Sequence, residues 1–582
     1  MGMNFDSYGN APSPAATIST LISTAGGKGP EAPGGPLEGA GAGARLSGCK
    51  PAGLPGGPRC LVTLFGVKGA IAAGHPLTAE AGARVLAAGG NAVDACIAAG
   101  FTSWVAESPL TGPGGGGFML VHLARDRTTR VLDFFVAAPG SGRPAGAGGA
   151  MESVDVSFSG DSVQVFKIGA ASCAVPGALA GLEQAHGRYA TLPWRELTAP
   201  ATELAREGVE LTRGQAYLHA ILDLILRHTA EGRAIYGEDA RLAAGDRLRM
   251  PDLADTLERF AERGAADLYG GELGRELVTY LSERGGAITE HDLAHYRVIR
   301  RRPVAAEFRG HLFESNPPPS SGGVLIAHAL RLLEHFSLDG DPGRADTISL
   351  LAEVMREQAR ARTTAGFERA LYRGDLAGRL CEQEPEALER IRRRELGARE
   401  PASIGGTTHI SAVDAQGNAA ALTVSTGSGS GMVVPGTGVQ LNNMLGEFDL
   451  PRMPRPGTRL SSMMSPSLVT ADGRPRLVVG SAGSLRLRNA VLQVAVNVLG
   501  HGLDVRDALE RPRIHVEEPH LHCEGGIAVD EIDALARMGY EVVRWRRKNL
   551  FFGGVAAVEL RPDGTLAAAG DSRRGGHGIV VE

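Results

Sequence analysis

Apolar positions change their spacing several times along the 582-residue chain, and each change marks a different kind of element. Residues 1 to about 60 keep no period: Gly, Ala, Pro and Ser surround isolated apolar residues, so ordering them would cost more entropy than burial could offset. They read as a flexible head. LVTLFGV (61–67) is strand-like, and from Thr78 and again from Asn91 Ala and Val recur at helical spacing, with Gly89-Gly90 between, which predicts two consecutive helices. FMLVHLA (118–124) and VLDFFVA (131–137) are strand-length runs flanking the charged turn RDRTTR. Residues 180–400 are expected to be mostly helical, with Leu/Ala/Arg/Glu stretches at 254–264 and 345–363 and a rigid loop at 317–323. After Gly406 the runs THISAVD, AALTVS, SPSLVT, RLVVGS, GVAAVEL and TLAAA are short and separated by D-G-type turns, as antiparallel hairpins are. The pattern predicts an α/β protein of sheets layered with helices.

Composition narrows the function. Lys and Arg number 60 against 65 Asp and Glu, a formal charge of -5, so the basic excess that nucleic-acid binding requires is missing. The six cysteines (Cys49, Cys60, Cys96, Cys173, Cys381, Cys523) form no close pairs, which argues against a disulfide framework or a zinc motif. No basic leader precedes an apolar run and no stretch approaches 18 apolar residues, so a cytoplasmic protein without a membrane partner is expected. The tract Gly112–Gly117 lacks the Lys-Ser/Thr of a phosphate loop and the acid of a dinucleotide site, and reads as a close-packed turn. His515, His520, His522 and Cys523 read as packing or surface residues. No cofactor and no metal are expected.

The chemistry gathers around Thr407. With Ala415-Gln416-Gly417 as a three-residue loop and Gly417 left-handed, Asp414 pairs with Asn418 and Thr407 falls opposite Ser425, subject to a one-residue shift by a bulge. Gly405-Gly406 ahead of Thr407 permits a sharply bent peptide. Attack of the Thr407 hydroxyl on the Gly406 carbonyl, an N-to-O acyl shift and hydrolysis of the ester would free a threonine whose α-amine, with a reference pKa near 8, is an adjacent base. Gly480–Ser484 ends a strand and opens an apolar helix, which makes Gly483 and Ser484 candidate oxyanion donors. Arg459 begins a hydroxyl-dense segment containing Ser461 and Ser462, a second candidate wall.

These residues, with GGNAVDA (89–95), GPGGGGFML (112–120), PPPSSGG (317–323) and TTH (407–409), resemble the gamma-glutamyltranspeptidase family from about residue 67 to the end. The resemblance implies an αββα sandwich of the N-terminal nucleophile hydrolase type, made as one precursor and cut into a large subunit (61–406) and a small subunit (407–582). It implies Thr407 as nucleophile, Ser425 in place of its supporting threonine, Ser461 and Ser462 as pocket serines, and Gly483 with Ser484 at the oxyanion position. Three departures concern glutamate recognition. The arginine of the family's DFRE is Phe135 here, the LNN-Gln/Glu-MDDF pattern reads LNNMLGEF so that Met444 stands where a polar residue is usual and only Glu447 remains as an acid, and the loop after Ser425 is shorter and lacks the usual asparagine. A buried carboxylate facing Phe135 would lack its partner. The resulting expectation is a self-processing hydrolase or acyltransferase acting on a small acyl or amide compound other than an ordinary γ-glutamyl amide. Three other readings stay open: a glutathione-type transpeptidase recruiting Arg459, Arg486 or another cation, a carbon–carbon bond-cleaving homologue of lincomycin or pyrrolobenzodiazepine antibiotic pathways, and an uncut binding scaffold.

Overall fold

The computed structural model describes residues 66–144, 148–159, 162–398, 406–447, 454–483 and 486–582. The expected flexible head, most of LVTLFGV and Ser484 lie outside the described residues.

Two sheets are built from strands that run, in chain order, β1 (Gly69–Ala73), β2 (Gly116–Leu123), β3 (Thr128–Phe134), β4 (Ile299–Arg301), β5 (Val304–Phe308), β6 (His311–Ser315), β7 (Gly406–Asp414), β8 (Ala419–Gly427), β9 (Ser467–Ala471), β10 (Arg474–Ala482), β11 (Gly554–Leu560), β12 (Leu566–Gly570) and β13 (His577–Val581). The seven-stranded sheet has the order β13-β1-β7-β8-β2-β3-β4, and the six-stranded sheet β12-β11-β10-β9-β6-β5. They face each other through β7, β10 and β11. Helices α1 (Pro76–Ala87) and α2 (Ala92–Ala106) cover the outer face of the first sheet beside α3 (Ala178–Tyr189), while α4 (Gly322–Glu334), backed by α5 (Ala345–Thr363), and α6 (Arg486–Leu499) cover the second. This is the four-layer αββα sandwich.

Local chemistry explains the elements. Asn91 caps α2 with a reciprocal Asp94 capping box, and Gly89 turns the chain from α1 at φ +93°. Both β7 and β8 are buried along their whole length, as strands covered on two faces must be. Ile410 and Ala412 join the core under α1 and α2, while Val413, Ala419 and Ala421 join the core between the sheets. His409 faces the second sheet too: its ring lies between the hydroxyls of Thr423 (2.7 Å) and Ser411 (2.9 Å), and burial lowers its pKa to about 3, so it is neutral. The expectation of a mostly helical 180–400 misses β4, β5 and β6, two of which extend the edge of the six-stranded sheet, where alternation in VAAEF and HLFES matches one buried face. Each sheet therefore takes strands from both sides of the Gly406-Thr407 bond. Among the described residues no helix is long and apolar enough to cross a membrane.

Candidate active site

The turn sets the register. Asp414 N donates to Asn418 O at 3.0 Å, Gly417 has φ +81°, and pairs run from Val413–Ala419 to Thr408–Val424. Beyond Thr408 a bulge shifts the pairing so that Gly406 faces Gly427. Both positions demand glycine: a Cβ on Gly406 would lie 2.5 Å from Gly427 O, and one on Gly427, at φ +70°, would lie 2.2 Å from Asn443 Oδ1 and 2.9 Å from Glu447 Oε1. Glu447 is thereby placed beside the bulge.

Within the bulge, Thr407 Oγ1 donates to Ser425 Oγ at 3.4 Å, and Ser425 Oγ donates to the Gly406 carbonyl in a short hydrogen bond. Gly427 N donates to Ser425 Oγ at 2.9 Å and fixes that hydroxyl. Thr407 and Ser425 are both buried. A donor is thus already aimed at the carbonyl that precedes Thr407. Thr408, on the other strand face, donates from Oγ1 to Glu107 at 2.6 Å, and Thr78 donates to the same carboxylate at 2.9 Å. Burial pushes the Glu107 carboxyl above its ordinary pKa.

The glycine tract explains how β8 is held. Cβ atoms on Gly114, Gly115 and Gly117 would stand 2.1 to 2.5 Å from carbonyl oxygens of Gln440, Ser425 and Thr423. Asn442 clamps the same region, donating to Gly114 O (2.8 Å) and Ala174 O (2.9 Å) and accepting from Ala174 N and Met444 N.

Phe135, just past β3, is buried and stacks on Phe118 with centroids 5.5 Å apart. Met444 is buried in the same apolar cluster as Phe135, Leu460, Met463 and Met464. Arg459 does not offer its charge to this wall: its Nε lies 3.2 Å from Asp133, its amino groups donate to the Phe135 and Arg297 carbonyls, and its guanidinium covers the Tyr296 ring at 4.6 Å. Asp133, fully buried, also holds Arg301 at 2.7 Å. Ser462 Oγ accepts from Met464 N at 3.0 Å, and its carbonyl receives Ser320 and Ser321, which joins PPPSSGG to the 459–466 segment. Ser461 is half-buried beside Tyr372. Gly483 follows β10 at φ +128°, where a Cβ would stand 3.4 Å from Arg574 Nη2. Arg486 opens α6 over the Phe551 ring at 4.2 Å, and burial lowers its pKa to about 10.

The structure thus brings Gly406, Thr407, Ser425 and Glu447 together, and puts Phe135 and Met444 in one apolar cluster. Sequence reasoning missed Glu107 and Arg574. The signal for Glu107 is a carboxylate immediately after an entirely buried helix; Arg574 carries none, because it meets the site only through folding of the C-terminal segment. Among the described residues no group of three or more His, Cys, Asp or Glu is placed to hold a metal.

The gamma-glutamyltranspeptidase family model matches residues 78–581. The acylase ACY 1 proenzyme of Pseudomonas sp. (strain SE83) is 33% identical, over 89% of this chain and 94% of that protein. The glutathione hydrolase proenzyme of Escherichia coli (strain K12) is 32% identical, over 87% of this chain and 90% of that protein. The crystal structure of cephalosporin acylase from Bacillus halodurans matches with a TM-score of 0.73 at 26% identity, covering 91% of this chain and 98% of that one. With the αββα layers and the glycine bulge ahead of Thr407 already in place, this chain belongs to the gamma-glutamyltranspeptidase family and is an N-terminal nucleophile hydrolase of that type.

Proposed function

We propose that the chain cuts itself between Gly406 and Thr407 and then uses Thr407 as the nucleophile of an amide hydrolase or acyltransferase. The observation that carries this reading is the line of hydroxyls from Thr407 Oγ1 to Ser425 Oγ to the Gly406 carbonyl. In the cut, Thr407 Oγ bonds to the Gly406 carbonyl carbon, the peptide nitrogen takes a proton and becomes the amine, and water cleaves the ester to leave the Gly406 carboxylate. In turnover the free α-amine accepts the Thr407 hydroxyl proton and passes it to the departing amine, while Gly483 contributes a backbone N–H to the oxyanion. Fragments 1–406 and 407–582 stay associated because both sheets are shared between them.

The substrate is an amide with a small acyl group other than γ-glutamyl. Phe135 and Met444 make the wall where the family's carboxylate and amine contacts are usual apolar, and Asp133 occupies the charge of Arg459. The acylase relative supports this reading. A glutathione hydrolase is the second reading, supported by the relative from Escherichia coli, and requires a cation other than Arg459.

Denaturing electrophoresis with intact-mass measurement tests the cut. Fragments of 406 and 176 residues are expected from the wild-type chain and none from Thr407→Ala, whose turnover should fall by about 10⁴-fold or more. A wild-type chain that stays whole and active rejects the mechanism.

A further inference from the structure

Glu107 is a carboxylate placed where physical chemistry opposes one. It caps the C-terminus of α2, a helix buried along its whole length, so it meets both a low dielectric and the negative end of the helix dipole. Among the described residues no cation pairs with it directly, and Arg574, on the wall of the same cavity, acts on it from a distance. Two hydroxyls hold it instead. Thr78 Oγ1 donates to Oε1 at 2.9 Å and Thr408 Oγ1 to Oε2 at 2.6 Å, so both oxygens accept, the pattern of a carboxylate and not of a protonated acid. Gly74 leaves the space, since a Cβ there would stand 2.4 Å from Oε2 and 2.8 Å from Thr408 Oγ1. A charge kept against burial and dipole points to a role in the site.

The turn that carries Glu107 also grips the bulge. Leu110 N donates to Glu107 O at 2.8 Å, Thr426 N donates to Leu110 O at 3.1 Å, and a Cβ on Gly406 would stand 3.1 Å from Leu110 Cα. The Glu107 side chain thus holds β7 at Thr408, the last pair in register before the bulge, while the turn's backbone holds β8 at Thr426. Thr407 sits between Gly406, packed against that turn, and Thr408, bonded to its carboxylate.

Thr407, Thr408 and Glu107 share the wall of a cavity of about 140 Å³. On the same wall Asp571 and Arg573 pair with each other at 3.0 Å, and in turn with Arg513 and Glu524. Burial holds His75 and His219 near a pKa of about 4 and His409 near about 3, so all three are neutral. Tyr217 and Arg574 complete the ionisable groups of the lining, and Glu447 stands at Gly427, on the far strand of the bulge. With the histidines neutral, an α-amine freed at Thr407 gains or loses its proton under the opposing influence of Glu107 and Arg574.

We propose that Glu107 is a positioning residue for Thr407: its carboxylate fixes the start of β7 through Thr408 for the cut, and its charge stabilises the protonated α-amine that the cut leaves. The inference rests on the proposed role of Thr407. A carboxylate beside an ammonium raises the pH at which the amine gives up its proton, so loss of the charge lowers that pH, whereas loss of the hydrogen bond alone does not. That difference separates a role in the chemistry from a merely structural one.

Glu107→Gln keeps the shape and removes the charge, whereas Thr408→Val removes the hydroxyl and keeps the carboxylate. In freshly translated chain, fragment formation should slow by about tenfold or more in both, and Thr408→Ser should cut near the wild-type rate. The α-amine is then titrated in the processed chains through the pH dependence of its carbamylation by cyanate, followed by mass spectrometry of fragment 407–582. Its midpoint should fall by about 0.5 pH unit or more in Glu107→Gln and by less in Thr408→Val. A wild-type chain that stays whole rejects the processing mechanism, and this role with it. A wild-type chain that cuts, beside a Glu107→Gln chain that cuts equally fast or whose midpoint is unmoved, overturns the role of Glu107 alone, as does an equal shift in Thr408→Val. A Glu107→Gln chain that is folded by circular dichroism yet never cuts supports it. If Glu107→Gln does not fold, the Thr408 variants decide: a folded Thr408→Val chain that cuts at the wild-type rate overturns the proposal, and a slow one rescued by Thr408→Ser supports it.

Discussion

Along the seven-stranded sheet, Thr407 stands between two regions of contrasting chemistry. Toward β3, Phe135 stacks on Phe118 and shares an apolar core with Met444, while the charges Asp133, Arg301 and Arg459 are paired with one another. Toward β1, Glu107, Asp571, Arg573 and Arg574 line one cavity with Thr407. Both regions contain arginine, so composition does not separate them. What separates them is where the charges sit: Asp133, Arg301 and Arg459 form a closed cluster behind an apolar surface, whereas Glu107, Asp571 and Arg574 act on one another at the wall of a cavity.

The strongest challenge to that contrast is Ser425→Ala, because Ser425 serves Thr407 whichever side the substrate groups occupy. Loss of its hydroxyl from the Gly406 carbonyl should slow self-cleavage by about 10²- to 10³-fold, read as the half-time of fragment formation, with Ser425→Thr close to wild type. A wild-type rate would remove the hydroxyl line from the mechanism. Next comes Arg459→Leu, which leaves the fully buried Asp133 with Arg301 alone. A loss of about 3 kcal/mol in denaturant unfolding is expected; an unchanged unfolding free energy would show that Asp133 does not need Arg459. The smallest effect concerns His409, between the sheets. Its folded pKa of about 3 lies below the unfolded value of 6.5, so the unfolded chain binds the extra proton in between. Stability from this residue is complete above about pH 6.5 and is lost as pH falls toward 3, by up to about 1.4 kcal/mol per pH unit. Unfolding free energies measured from pH 7 to 5 should slope less in His409→Asn than in wild type by up to one proton.

Much of the fold was legible in the chain. The register of β7 and β8 follows from one turn, since Gly417 fixes the loop length and every pair back to Thr408 then counts from it. The bulge at Gly406 was allowed for, and it is what turns the Gly406 carbonyl toward Ser425. Helices α1, α2 and α6 fall where their spacing puts them. Strands β5 and β6 were not legible, because five-residue strands inside a long helical stretch give too short a pattern to outweigh their surroundings. For the site, position 135 showed that the usual arginine is missing, but only the fold shows Arg459 held by Asp133 and Arg574 lining the Thr407 cavity with Glu107 and Asp571.

By itself, the sequence determined the family, the order of most strands and helices outside residues 180–400, and the bond ahead of Thr407 at which two glycines allow the chain to bend. These are local properties: period, turn chemistry and residue type act within a few residues. Tertiary structure alone decided which side of Thr407 is apolar and which is charged, because Glu107 and Arg574, more than 400 residues apart, meet at one cavity. Pairing of charges depends on distance in space and on exclusion of water, and neither is written in the spacing of residues along the chain.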